Sequence, residues 1–214
     1  MIDFRVVLVD PENPLNVGFV ARAMRAFGVA ELVVAASSWK TLPAEARVTG
    51  VCAPRILDGV RFESDLAGAL RGCETAIAFS RRPTALRQDE FTLPALPASL
   101  NLKGRTALVF GRESTGLTRA ESALCPHLAR IPGQNGVSLN LGQAVAVALF
   151  SLTATDGGRA EEVPTVSLER MMALWDYVQP ILAASPRFTE VKQQRVRQMF
   201  YRLRLNDDDF DQLF

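Results

Sequence analysis

The sequence predicts an α/β fold, a mostly parallel sheet with helices on both faces, followed by a short all-α C-terminal extension. Three observations carry that expectation. Strand-like runs at 4–9, 32–36, 75–79 and 106–110 are almost wholly apolar, the pattern of strands covered on both faces. Helix-like segments interleave with them, so the strands connect by crossovers rather than hairpins. A polar stretch at 155–165, with paired glycines and a proline, then separates this pattern from a purely helical one.

The first strand, 4–9, ends at Asp10 and Pro11, and Asn13-Pro14 then supplies a helix cap followed by proline at the first helical position. In the helix that follows, Val17, Val20, Ala21, Met24 and Phe27 recur at helical spacing. Asn16 therefore falls in its opening turn, and Arg22 and Arg25 lie off the apolar stripe, with Gly28 as terminator. Next come a strand at 32–36, a helix at 63–71, strands at 75–79 and 106–110, and a short strand at 128–131. A strongly apolar helix at 138–153 closes the domain, which is assigned to 1–154, with the linker at 155–165 and the extension at 166–214. Within the extension Ser167 caps a helix to 184 that carries Leu168, Met171, Met172, Trp175 and Val178 on one face, and a second helix spans 189–203.

Bulk properties narrow the function classes. The 214 residues carry a formal net charge of +1, so any nucleic-acid contact rests on local patches rather than an overall field. Cys52, Cys73 and Cys125 are too far apart for a paired zinc motif, and an odd number does not suggest a disulfide scaffold, so they read as buried small hydrophobes. No metal site is expected. The N-terminus lacks the features of a signal peptide, and the longest apolar run is too short to span a bilayer, so a cytoplasmic protein is expected.

Three clusters can carry chemistry. The first, Asn13 to Arg22, follows the first strand, where parallel α/β sheets build sites; it combines an amide, Asn16, with a permanent cation, Arg22, and reads either as a ligand site or as a capped helix with a solvated arginine. The second, Gly111-Arg112-Glu113-Ser114-Thr115-Gly116-Leu117, is a polar loop whose two glycines would let backbone approach a ligand. Leu117 and Thr118 stand where a phosphate loop needs Lys and Ser/Thr, which argues against a nucleoside triphosphate. In the third, Ser138 and Asn140 stand where an apolar helix begins, as caps or as neighbours of ligand-binding amides. His127 is the single histidine and no Gly-x-Ser-x-Gly elbow exists, so a serine hydrolase is disfavoured; His127 is expected at the surface or against a structural partner. Separately, Arg187, Lys192, Arg195, Arg197, Arg202 and Arg204 oppose a single acid, Glu190, with Phe200 and Tyr201 among them. That segment reads equally as an RNA-contacting face or as an exposed face whose aromatics pack inward.

Taken in this order, Asn16-Val17-Gly18-Phe19-Val20-Ala21-Arg22, Phe110 to Leu117, and Ile131-Pro132 through Ser138-Leu139-Asn140-Leu141 resemble the three motifs of the SpoU/TrmH family of SPOUT RNA 2′-O-methyltransferases. The resemblance covers 4 to about 153 and implies a trefoil knot in the C-terminal part of the domain, S-adenosylmethionine bound in the knot, and a homodimer. A helical C-terminal extension without an N-terminal one resembles the TrmJ branch, which implies tRNA as the RNA partner and a ribose of the anticodon loop, nucleotide 32 in tRNA numbering, as the target. An rRNA substrate for the same chemistry, or a non-catalytic RNA-binding dimer, are the alternatives.

By resemblance, cofactor contacts fall on Phe79, Ser80, Arg81, Gly111, Ile131, Val137, Ser138 and Leu139, and catalysis on Asn16, Arg22, Glu113, Ser138 and Asn140. The family proposal makes Arg22 the activator of the hydroxyl, yet a guanidinium is effectively always protonated and has no acceptor. Our expectation is that Arg22 fixes the adjacent phosphate and lowers the hydroxyl pKa electrostatically. Asn16 and Asn140 then orient the hydroxyl, Glu113 positions Arg22, and Ser138 belongs chiefly to the cofactor loop.

Overall fold

The computed structural model describes residues 3–80, 89–95, 100, 102, 104–134, 138–154, 166–185, 188–203, 205, 210 and 211. In chain order these form β1 (Asp3–Val9), α1 (Pro14–Ala26), β2 (Glu31–Ala35), α2 (Ala46–Thr49), α3 (Pro54–Asp58), β3 (Arg61–Glu63), α4 (Leu66–Leu70), β4 (Thr75–Phe79), β5 (Asp89–Thr92), β6 (Arg105–Phe110), α5 (Arg119–Ala123), β7 (His127–Arg130), α6 (Leu141–Ala154), α7 (Leu168–Ala183) and α8 (Glu190–Tyr201).

The seven strands make one sheet in the order β3-β2-β1-β6-β4-β7-β5, and every pairing is parallel. Their near-continuous apolarity has the expected cause, because the sheet is covered twice. On one face Phe4, Val6, Leu8, Ile77 and Leu108 pack against α1 and α6. On the other, Val7, Val9, Val33, Ala78 and Val109 pack with α4 residues and with Leu168, Met171, Leu174 and Trp175 of α7. The C-terminal helices therefore share the second core: the Leu168 N–H donates to the Cys73 carbonyl at 3.0 Å, and the Gln198 amide donates to the Ala123 carbonyl. Trp175 meets Phe200 edge-on at 5.9 Å, and the Arg197 guanidinium lies over the Trp175 and Tyr201 rings at 6.0 and 5.5 Å. Phe200 and Tyr201 thus belong to the core, which leaves Lys192 and Arg195 as the exposed cations of α8; Arg187 and Arg204 lie outside the described residues.

Helix α1 starts as its residues dictate. The Asn13 side chain accepts from the Leu15 N–H at 3.0 Å, Pro14 holds the first helical position, and Gly28 leaves the helix at φ 71°. Several expectations need correction. The helix expected over 63–71 divides, because Arg61–Glu63 pairs with β2 and Asp65 caps α4 by accepting from the Gly68 N–H at 2.8 Å. The apolar helix expected from 138 begins at Leu141, so Ser138 stands outside it and Asn140 is the residue that caps it, accepting from the Gly142 N–H at 2.9 Å. His127 is buried within β7, which excludes the surface and leaves the structural one of its two expected places. Cys73 and Cys125 are buried as expected, whereas Cys52 is exposed in the connection between α2 and α3. The linker at 155–165 lies outside the described residues. Among the described residues no helix is long and apolar enough to cross a membrane.

Candidate functional site

Parallel strands bring their C-terminal ends to one edge, and β6, β4 and β7 are neighbours there. Phe79 pairs in register with Phe110, and the Ser80 N–H donates to the Ala129 carbonyl at 3.2 Å. The rings of Phe79 and Phe110 stack nearly parallel, with centroids 4.5 Å apart. Ser80, Gly111 and Ile131 each follow the last residue of one of these strands, so three of the predicted cofactor contacts stand side by side without any being adjacent in sequence. Arg81 and Val137 lie outside the described residues, while Ser138 and Leu139 are exposed, Leu139 at 44 %. Ile131 is half-buried and Leu139 exposed, and these apolar side chains with the backbone groups at 80, 111 and 131 are a set that suits a nucleoside or an amino-acid moiety.

The polar part of the site is held by Glu113. Its carboxylate accepts from the backbone N–H groups of Glu12 at 2.9 Å and Asn13 at 3.2 Å, and from the Asn16 side-chain amide at 2.7 Å. Asn16, only 6 % exposed, accepts through Oδ1 from Asn140 Nδ2 at 2.8 Å. Glu113, Asn16 and Asn140 therefore form one continuous relay drawn from all three sequence clusters. The expected pairing of Glu113 with Arg22 is not what forms: Asn16 and two backbone amides occupy the carboxylate, and Arg22 has no ion pair among the described residues.

The 111–117 loop is shaped from within. A Cβ on Gly111 would lie 2.3 Å from the Gly116 carbonyl carbon, so the loop's own closure requires a glycine there. Gly116 sits at φ 69°, a left-handed conformation. Sequence reasoning missed the residues that anchor this loop. Arg112 bonds Glu121 at 3.0 and 3.1 Å and pairs with Asp10, tying the loop to α5 and to the end of β1. Glu12 in turn accepts from the Ser114 N–H at 2.9 Å and from its hydroxyl, so each loop sends a carboxylate into the other. The Ser114 hydrogen bonds hold the Glu12 carboxyl below the usual carboxylate range. The signal that could have found Glu121 is Thr118-x-x-Glu121, a capping box.

An open cleft of about 560 Å³ lies between α1 and α6, lined by Phe19, Arg22, Phe27, Asn140, Gln143 and Ala146 among others. It brings the free cation Arg22 and the outer end of the relay, Asn140, to one surface. Exposed apolar side chains flank it, with Phe19 at 44 % and Phe150 at 60 %. Ser138 makes no hydrogen bond among the described residues. No group of three or more His, Cys, Asp or Glu among the described residues could hold a metal ion.

Comparison with known proteins bears on this arrangement. The model of the SpoU rRNA methylase family matches residues 3–150. A tRNA (cytidine/uridine/adenosine-2′-O-)-methyltransferase TrmJ of Pseudomonas aeruginosa is 38 % identical over 159 residues, covering 71 % of this chain and 61 % of the relative. A tRNA (cytidine-2′-O-)-methyltransferase TrmJ of Methanocaldococcus jannaschii is 32 % identical over 161 residues, 71 % of this chain and 68 % of the relative. The chain thus matches somewhat under two thirds of the length of the first of these and slightly over two thirds of the second. Among solved structures, TrmJ from Z. mobilis ZM4 superposes with a TM-score of 0.83 at 23 % identity, covering 98 % of this chain and 95 % of that one, a likeness of fold.

Proposed function

This chain belongs to the SpoU methylase family, on the branch that includes TrmJ, and from that premise we propose that it is an S-adenosylmethionine-dependent tRNA ribose 2′-O-methyltransferase. The observation that carries the reading is the Glu113–Asn16–Asn140 relay, which ends beside Arg22 in an open cleft between α1 and α6.

S-adenosylmethionine supplies an electrophilic methyl group on a sulfonium. The chain's own residues do the rest. Ser80, Gly111, Ile131 and Leu139, together with Phe79, Arg81, Val137 and Ser138, would hold the donor by backbone hydrogen bonds and apolar contact. Arg22 binds the phosphate next to the target ribose, a bidentate and permanently charged contact. Asn16 and Asn140 align the ribose for in-line displacement, and alignment alone accounts for a large part of such a rate.

The target is a ribose of the anticodon loop, nucleotide 32. The C-terminal part of the domain carries the family's trefoil threading. The active species is a homodimer formed through α6, since Phe150 and Val147 leave an apolar surface beside the cleft that a second copy would cover.

Ribose-methylation mapping of total tRNA and rRNA, in cells with and without the gene, tests the whole reading. Loss of one methyl group at nucleotide 32 of tRNA is the expected result. Loss of an rRNA site instead would move the substrate to the ribosome, and no lost site, with no S-adenosylmethionine binding by calorimetry, would remove the enzyme reading altogether.

A further inference from the structure

The relay has an end that can only accept and an end that can only donate. Glu113, as a carboxylate, accepts, so Asn16 must present Nδ2 to it at 2.7 Å and turn Oδ1 the other way. At the far end the Gly142 N–H can only donate, so Asn140 must present Oδ1 to it at 2.9 Å and turn Nδ2 toward Asn16, where the two amides meet at 2.8 Å. Both boundary conditions dictate the same orientation, and reversing either amide would set oxygen against oxygen or N–H against N–H. Gln143 adds a third constraint from the first turn of α6: its Oε1 accepts from the Asn140 N–H at 3.1 Å and holds the Asn140 backbone still. Asn140 is exposed and lines the cleft with Arg22 and Gln143. Its second Nδ2 proton is the one not used within the relay.

We propose that Glu113, with the Gly142 N–H and Gln143, is a polarity-setting clamp, so that Asn140 meets the substrate ribose only as a hydrogen-bond donor. This rests on the methyltransferase reading and deepens it. Once the 2′-hydroxyl has lost its proton, the Asn140 N–H stabilises the negative oxygen and so raises the population of the nucleophile; that charge is then spent as the oxygen bonds the methyl carbon and the carbon–sulfur electron pair leaves with the sulfur. The hydroxyl proton departs to water, because an amide oxygen is too weak a base to take it. Glu113 and Gln143 are positioning residues, and Asn140 is the group that touches substrate.

Asn140→Asp separates donation from capping, since a carboxylate still accepts from Gly142. Losing one donor to the ionised 2′-oxygen lowers the population of that nucleophile, by about 10²-fold for a donor of oxyanion-hole strength. The expected result is a kcat reduced about 10²-fold with unchanged S-adenosylmethionine affinity, and a ratio to wild type that rises as pH falls, because the introduced carboxyl regains a donor on protonation. Activity within threefold of wild type, or a pH-independent ratio, would overturn the proposal. Glu113→Gln provides a readout that does not depend on activity. In ¹⁵N-edited spectra of the full chain, the Asn16 and Asn140 side-chain amide protons should exchange slowly in the wild type and faster in the variant, whose carboxamide tolerates either orientation; unchanged exchange overturns the clamp. Should the wild-type protein methylate no tRNA, the functional reading fails by itself and the exchange measurement still decides the clamp.

Discussion

Asn16 and Asn140 lie 124 positions apart in the chain and share a hydrogen bond of 2.8 Å. The contact exists because α1 and α6 approach closely where Gly142 faces Phe19: a Cβ on Gly142 would lie 2.6 Å from the Phe19 Cβ. Site geometry and helix packing are therefore one property. Any residue larger than glycine at 142 must be accommodated by moving the helix that carries Asn140 or the one that carries Asn16.

Gly142→Ala should accordingly cost both stability and rate. Overpacking of this kind costs about 1–3 kcal/mol, more than the better helix propensity of alanine returns. A misplacement on the order of 1 Å at reacting groups costs about 10²-fold in rate. Urea denaturation and single-turnover methyl transfer measure the two, and a loss of stability without a loss of rate would separate the packing from the site.

Arg22→Ala should do the opposite. The side chain is exposed and has no ion pair among the described residues, so stability should stay within about 0.5 kcal/mol of wild type. Methylation should be abolished while calorimetric affinity for S-adenosylmethionine is retained. Equal loss of both would assign Arg22 to the cofactor pocket instead of the substrate phosphate.

The parallel α/β core was legible because burial on both faces writes itself into strands as continuous apolarity, and α1 because Asn13, Pro14 and Gly28 each have a strong local preference. The three site clusters were legible as motifs, but their wiring was not. Glu113 holds Asn16 rather than Arg22, and only a carboxylate's position relative to backbone N–H groups of Glu12 and Asn13 decides that. The edge strand Asp89–Thr92 and the short helices α2, α3 and α5 escaped because they are only 4 or 5 residues long, too short for periodicity to register. Basic and aromatic residues at the C-terminus suggested two readings that composition could not separate. The edge-on contact of Trp175 with Phe200 settles where the aromatics go.

Thiol chemistry checks the burial directly. Desolvation pushes the Cys73 thiol up to about 11 and the Cys125 thiol higher still, whereas Cys52 is exposed. A disulfide-exchange reagent at pH 8 should label one thiol rapidly in the native protein and all three of its cysteines in guanidinium. Rapid labelling of Cys125 would mean that α8 does not stay docked on α5.

Phe150→Asp tests the face of α6 assigned to a second copy. Phe150 is 60 % exposed and meets Phe27 of α1 edge-on at 6.4 Å, so a carboxylate there faces solvent in a monomer but would be buried without a partner in a dimer. Sedimentation equilibrium should give a dimer for wild type and a monomer for the variant, with little change in the unfolding transition of the monomer. An unchanged mass would exclude this face from the interface.

The anchor of the 111–117 loop should make stability depend on pH. Burial by itself would raise the Glu121 carboxyl, but hydrogen bonds from Arg112 and from Thr118 outweigh it and hold the group below the usual carboxylate range. A folded-state value beneath the unfolded one contributes stability that is fully present above the unfolded value. That contribution disappears as pH falls through the folded value, when the carboxyl takes up a proton and releases Arg112. Wild-type unfolding free energy should therefore decline on the acid side of the carboxylate range, and Glu121→Gln, which cannot titrate, should lack that part of the slope. At neutral pH the same variant should be less stable by about 1–3 kcal/mol, the scale of charge-assisted hydrogen bonds lost at a partly buried site. Its methyl transfer should fall as well, because Arg112 and the adjacent Glu113 share one loop and the relay through Asn16 begins there. Parallel acid limbs in the two proteins would show that Glu121 does not titrate against Arg112 and that another group anchors the loop.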